Sequence, residues 1–210
     1  WKNPGKRFPC EDTCITIEGL DRSANTFSYY LAQEGFPGQL ISSHTHNISS
    51  IRAVLRMPAP CVVLVRKGPE VAVSIAQKYN PQQYEQNILN GYLHEWLAMY
   101  RYVAEHLEEI ELIEFNQLIS RPEQFVRFIG KLKGVEIDKL RAQTIIESVQ
   151  GKMQNKEKEK SDQGSSLPCM ERHVAKGKFK EVVDKLPAAA EADKEFNLLH
   201  ERMRDLNHVE

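Results

Sequence analysis

The sequence is short of the features that mark the simplest protein classes. Only four of its 210 residues are cysteine, and Cys10 and Cys14 are the only close pair, spaced Cys-x-x-x-Cys. No second pair completes a zinc pattern; free thiols in a reducing compartment are expected, a Cys10–Cys14 disulfide being the alternative, with Cys61 buried at the head of an apolar run. No apolar run approaches the ~20 residues that a membrane-spanning helix needs. Trp1 to Cys10 hold no apolar segment of the signal-peptide kind. Excess charge is missing too: 28 Lys and Arg against 29 Asp and Glu leave −1 at pH 7. Bulk electrostatics therefore do not favour nucleic acid. The expectation is a cytoplasmic protein with no membrane span. The P-loop pattern Gly-x-x-x-x-Gly-Lys is absent as well.

What remains is the composition of a globular protein, 41% apolar and 27% charged. The length suits one sizeable α/β domain covering residues 1–210. Ile15 to Leu31 organise it. Thr13, Ile15, Thr16 and Ile17 favour a strand. Gly19 permits a turn, Asp21 and Ser23 can cap, and Phe27, Tyr30 and Leu31 give a helical apolar face. A strand feeding a helix through a tight loop aims backbone N–H groups and the positive end of the helix dipole at one spot. Arg22 adds a forked cation, and Ser23 and Thr26 add hydroxyls. The spot suits a phosphate or sulfate group. An ordinary capped turn with a surface arginine would show the same residues.

The rest of the chain alternates in the same way. Residues 1–11 read as an irregular lead-in, 12–18 as a strand and 24–34 as a helix. Gln39 to Ser43 is a second strand, ending in Ser43-His-Thr-His46. Asn47 or Ser49 caps the next helix. Cys61-Val-Val-Leu-Val-Arg66 is continuous and β-branched, as strands of parallel sheets are. A helix follows Gly68-Pro69 to about Tyr79, and a longer one runs from Tyr84 to His106. The latter carries a stripe of Ile88, Tyr92, Trp96, Met99, Tyr100 and Val103, which reads as core. Ile110 to Phe115 is a fourth strand. Pro122 opens a helix ended by Gly134, and Asp138 caps another that buries Leu140, Ile145, Ile146 and Val149. Residues 151–166 are charged and read as a mobile loop. Residues 167–210 are helical, split at Leu186-Pro187. Strand–helix alternation predicts a doubly wound, mainly parallel sheet with a helical C-terminal part. Ligands of such sheets sit at the carboxyl ends of the strands. Three polar clusters fall there: Asp21–Thr26, His44–His46 and Arg66–Ser74.

Together these clusters resemble the sulfotransferase family, which uses 3′-phosphoadenosine 5′-phosphosulfate (PAPS). Asp21-Arg22-Ser23-Ala24-Asn25-Thr26-Phe27 is similar to the family's Pro-Lys-Ser-Gly-Thr-Thr-Trp loop. Arg66-Lys-Gly-Pro-Glu-Val-Ala-Val-Ser74 keeps the family's Arg-to-Ser spacing of eight. His44-Thr45-His46 stands where Lys-Thr-His is frequent. Ile113-Glu-Phe-Asn-Gln-Leu118 followed by Pro122 resembles the Tyr-Glu-Asp-Leu segment. The likeness covers roughly residues 12–135, and Ala175-Lys176-Gly177 is a looser echo of Arg-Lys-Gly.

The resemblance implies the P-loop-like sulfotransferase fold and a metal-free transfer of a sulfuryl group from PAPS, leaving adenosine 3′,5′-bisphosphate. The acceptor would be a hydroxyl or amine on a small molecule or glycan. Arg22, Ser23, Ala24, Asn25, Thr26 and Phe27 would surround the 5′-phosphosulfate. Arg66 and Ser74, with Lys176 and Gly177, would hold the 3′-phosphate. His46 would be the general base, with His44 and Arg22 assisting at the sulfuryl group. The His-x-His pair also has the look of a metal pair without a third ligand, or of surface polar residues with a carboxylate as the base. Ala24 replaces the loop glycine, Phe115 the tyrosine, and the Arg before Lys176 is missing. A catalytically silent sulfotransferase-fold binding or scaffold protein is the alternative. A nucleotide-kinase-like phosphotransferase lacks its loop lysine and its magnesium carboxylate here.

Overall fold

A computed structural model describes residues 8–79, 86–162 and 179–206. Four strands, β1 (Thr13–Glu18), β2 (Leu40–Ser43), β3 (Cys61–Val65) and β4 (Glu111–Glu114), form one sheet in the order β2-β1-β3-β4. Every pairing is parallel. The connections are helical, because parallel neighbours need crossovers. They are α1 (Asn25–Gly35), α2 (Ile48–Val54), and the pair α3 (Gly68–Tyr79) and α4 (Gln86–Ala104). Beyond β4 come α5 (Phe115–Ser120), α6 (Pro122–Leu132), α7 (Lys139–Asp162) and α8 (Pro187–His200), with a helical turn over 179–183 before α8.

Both faces of the sheet are covered, as the continuous apolar strands require. Alternate residues of β3 serve different cores. Cys61, Val63 and Val65 join α3, α4 and α8 on one face. Val62 and Leu64 join Ile15 and Ile17 of β1 against α1, α6 and α7 on the other. The α4 stripe is core, but its centre is shifted: Trp96, Met99, Tyr100 and Val103 are buried with Leu89, Leu93 and Leu97, whereas Ile88 and Tyr92 are half-buried. Two of these side chains also bond to β3 and its turn. The Tyr100 hydroxyl donates to the Leu64 carbonyl at 2.6 Å, and the Trp96 indole N–H donates to the Arg66 carbonyl at 2.8 Å. Gly68 lets α3 start there, since a Cβ would lie 2.7 Å from that of Ala192 and 3.2 Å from the Trp96 ring.

Several expectations change. Residues 151–162 are not loop but continue α7, whose Lys- and Glu-rich sequence favours helix even with little apolar content to bury. Residues 163–166 of that predicted loop, and 167–178 and 207–210 of the predicted C-terminal helical part, lie outside the described residues. Leu140 is exposed rather than buried, because it faces away from the α1 and α6 side that takes Ala142, Ile145, Ile146 and Val149. The helix α5 directly after β4 was not predicted. Asp138 does cap α7, accepting from the Arg141 N–H at 2.7 Å, and Asn47 rather than Ser49 caps α2. Cys10, Cys14 and Cys61 are free thiols. Burial, reinforced by the charge of Glu18, pushes the Cys61 thiol up to about 12. Among the described residues no helix is long and apolar enough to cross a membrane.

Candidate functional site

The carboxyl ends of β1, β2 and β3 converge, and the loops leaving them carry the polar clusters. Leaving β1, Gly19 passes so close to β3 that a Cβ would sit 2.7 Å from the Leu64 carbonyl oxygen. The chain then climbs through Asp21 to Ala24 into α1. Arg22 and Ala24 adopt positive φ, 72° and 67°. Leaving β2, His44 and His46 do the same, at 63° and 54°. These four are the non-glycine residues with positive φ among those described. Each costs on the order of 1–2 kcal/mol, and such strain gathers where a site needs a fixed backbone.

The β1 loop divides its side chains between inside and outside. Ser23 is fully buried beside the Tyr100 hydroxyl, and Asn25 is buried with its amide donating to the Gly19 and Leu20 carbonyls at 3.1 and 2.8 Å. Their side chains therefore brace the loop from beneath and are not exposed to a ligand. Arg22 and Thr26 are exposed, and Ala24 and Phe27 half-buried. Ala24 caps α1 without any side-chain hydrogen bond, and no acidic residue lies in the first turn. An open helix N-terminus of this kind favours an anion. Replacing Ala24 with glycine removes the left-handed strain and adds back some chain entropy. The Ala24→Gly protein is expected to be about 0.5–1 kcal/mol more stable, read as a small rise in melting temperature; a fall would contradict the strain at this position.

The structure brings Arg22, Arg66 and Ser74 together. The Arg22 Nε–H donates to the Ser74 hydroxyl at 3.0 Å, and an Arg66 terminal N–H donates to the Arg22 carbonyl at 3.0 Å. Arg66 also pairs with Glu70 at 3.1 Å and lies 4.3 Å over the Phe115 ring, so the position expected to hold tyrosine holds a cation–π partner instead. Lys78 reaches Asp21 at 3.2 Å and ties the β1 loop to α3. Alongside runs a hollow of about 350 Å³, lined among others by Arg66, Glu70, Ser74, Gln77, Lys180 and Asp184. Lys180 is thus a cation at this hollow that no motif suggested. Lys176 and Gly177 lie outside the described residues.

The histidines occupy the next loop. His44 is buried; its Nε2 is 3.1 Å from the Thr26 hydroxyl and its ring meets Tyr29 edge to face. His46 is half-buried, with its ring edge to face against His44 at 5.8 Å between centroids. Its Nδ1 is 2.7 Å from the Gly19 carbonyl oxygen. A carbonyl only accepts, so Nδ1 carries the proton and Nε2 is left as the basic nitrogen. Among the described residues no three His, Cys, Asp or Glu side chains come together as a metal would need.

One member of this constellation escaped the sequence reading. Glu18, the last residue of β1, is completely buried. Its Oε1 accepts from the Thr45 N–H at 3.2 Å, the Thr45 hydroxyl at 2.9 Å and the Ser50 hydroxyl at 3.3 Å. Its Oε2 accepts from the His46 N–H at 3.2 Å. Burial raises its pKa above the usual carboxyl value, against these hydrogen bonds and the nearby His46. A signal was available: Glu18 shares strand parity with Thr16, and both faces of a doubly wound sheet are covered.

The sheet order, the helices on both faces and the rim of polar loops define an α/β protein of the sulfotransferase fold. A crystal structure of the mouse sulfotransferase SULT7A1 complexed with PAP matches over 96% of this chain and 87% of that one, at a TM-score of 0.52 and 13% identity. No protein-family profile and no curated protein matches the sequence.

Proposed function

We propose that the chain is a PAPS-dependent sulfotransferase acting on a hydroxyl or amine of a small molecule or glycan. The observation that carries this reading is the hold of Arg22 on Ser74 and of Arg66 on Arg22 beside a hollow that Arg66 and Ser74 line. The likeness to a sulfotransferase complexed with PAP supports it. The donor set fits adenosine 3′,5′-bisphosphate: forked arginines, a hydroxyl and Lys180 suit a phosphate, and the uncapped α1 suits a second anion. A hollow near 350 Å³ also lies within the range of small-ligand clefts, about 300–1,000 Å³.

Arg66, Ser74 and Lys180 would take the 3′-phosphate, and the α1 N–H groups with Thr26 the 5′ end. Bound PAPS supplies the activated sulfuryl group. His46 Nε2 accepts the acceptor's proton, while Gly19 keeps the ring's other nitrogen protonated. Arg22 and the helix end offset negative charge spread over the sulfuryl oxygens, as in phosphoryl transfer.

The test is a thermal titration. Adenosine 3′,5′-bisphosphate at a hundred times its dissociation constant should add about 2.7 kcal/mol of stability. Arg66→Ala removes a charge-assisted contact of about 1.5–3 kcal/mol and should weaken binding roughly 10–100-fold. A protein that the nucleotide does not stabilise would be the silent, scaffold-type member of the fold. The inward Ser23 and Asn25 and the Glu70 carboxylate on Arg66 are the observations that favour that second reading.

A further inference from the structure

We infer that Glu18 is the positioning residue for the His46 imidazole. The inference rests on the reading of His46 as the base. The His44–His46 turn is held in left-handed backbone at both histidines, so something must over-determine it. Glu18 does so from below. Its two oxygens take the consecutive N–H groups of Thr45 and His46, and the Thr45 and Ser50 hydroxyls complete its acceptor capacity. Only a carboxylate accepts at both oxygens; an amide of the same shape would aim N–H donors at one of these N–H groups. Gly19, the next residue, gives its carbonyl to His46 Nδ1. One dipeptide at the end of β1 thus fixes both the backbone and the tautomer of His46, and it leaves Nε2 as the basic nitrogen.

Among the described residues, three titratable groups interact with the charge of Glu18. His46 lies above it, and Cys61 and Tyr100 feel its charge from β3 and α4. Burial pushes both the Cys61 thiol and the Tyr100 hydroxyl upward, so they stay neutral near pH 7. His46 is the one group of the three that can carry positive charge, and its attraction favours the Glu18 carboxylate.

The experiment uses the full chain labelled with [15N]histidine, with the His46 signals assigned from a His46→Gln variant. Wild type is expected to show the Nδ1–H tautomer above the imidazole pKa. Glu18→Gln is expected to mix the two tautomers. The same variant should lower kcat for sulfuryl transfer from PAPS to a panel of phenols and alcohols roughly 10–100-fold, with adenosine 3′,5′-bisphosphate affinity unchanged within about twofold. In that transfer the acceptor oxygen bonds to sulfur, the bond from sulfur to the phosphate oxygen breaks with its electron pair leaving on the nucleotide, and Nε2 takes the proton. Glu18→Asp keeps the charge but not the reach and serves if the glutamine variant does not fold. Unchanged His46 tautomer and pKa in the folded variant would overturn the inference, whatever the kinetics. Lost tautomer order in a protein that binds no nucleotide would uphold the positioning and remove the sulfotransferase reading instead.

Discussion

His46→Ala should cut sulfuryl transfer by about 10²–10⁴-fold while leaving adenosine 3′,5′-bisphosphate affinity almost untouched. That range is what a well-placed general base contributes. The split between rate and affinity follows from the geometry. His46 sits on the β2 loop and bonds to Gly19, whereas Arg22 bonds to both Ser74 and Arg66. Removing the imidazole strips no contact from the arginine cluster. Single-turnover transfer from radiolabelled PAPS, beside calorimetric titration of the nucleotide, reads both quantities. A variant that transfers within threefold of wild type would move the base elsewhere.

Glu18→Ala should lower stability by about 2–4 kcal/mol. Two N–H groups, those of Thr45 and His46, lose their acceptor, at about 1–3 kcal/mol each. Relief from burying a carboxylate returns part of that loss. For a chain of this length each kcal/mol moves the melting temperature by about 2–4 °C, so a drop near 10 °C is expected. The pH dependence has a definite sign. Because the folded pKa of Glu18 is raised, its contribution is fully present below the ordinary value of 4.5 and is lost as pH rises through the raised value. The stability gap between wild type and Glu18→Ala should therefore widen as pH falls toward 4.5. Denaturant melts at several pH values measure it, and a gap that narrows on acidification would contradict a raised carboxyl.

The fold was legible because its signals are local. Continuous β-branched strands, Asn47 and Asp138 as caps, and the proline at the head of α6 each act within a few residues. The cluster of Arg22, Arg66 and Ser74 followed from knowing that strand ends converge. What stayed hidden depends on direction rather than identity. The resemblance implied that Ser23 and Asn25 surround the ligand, yet in a loop with left-handed turns at Arg22 and Ala24 both are buried. Glu18 drew no reading of its own because burial of a carboxylate needs four donors, and the sequence scatters them from Thr45 to Ser50. The end of α7 was misread for the opposite reason. Its Lys–Glu run favours helix locally, but hydrophobic periodicity, which carries most of the signal, is absent there.

The two bonds from α4 to β3 have a mechanical consequence. Trp96 and Tyr100 grip the carbonyls of Arg66 and Leu64 from one helix, one turn apart. The backbone of Arg66 is thereby anchored to a helix of 19 residues. The buried face of α4 thus does two jobs at once, filling the core and fixing the height at which the Arg66 backbone leaves the sheet.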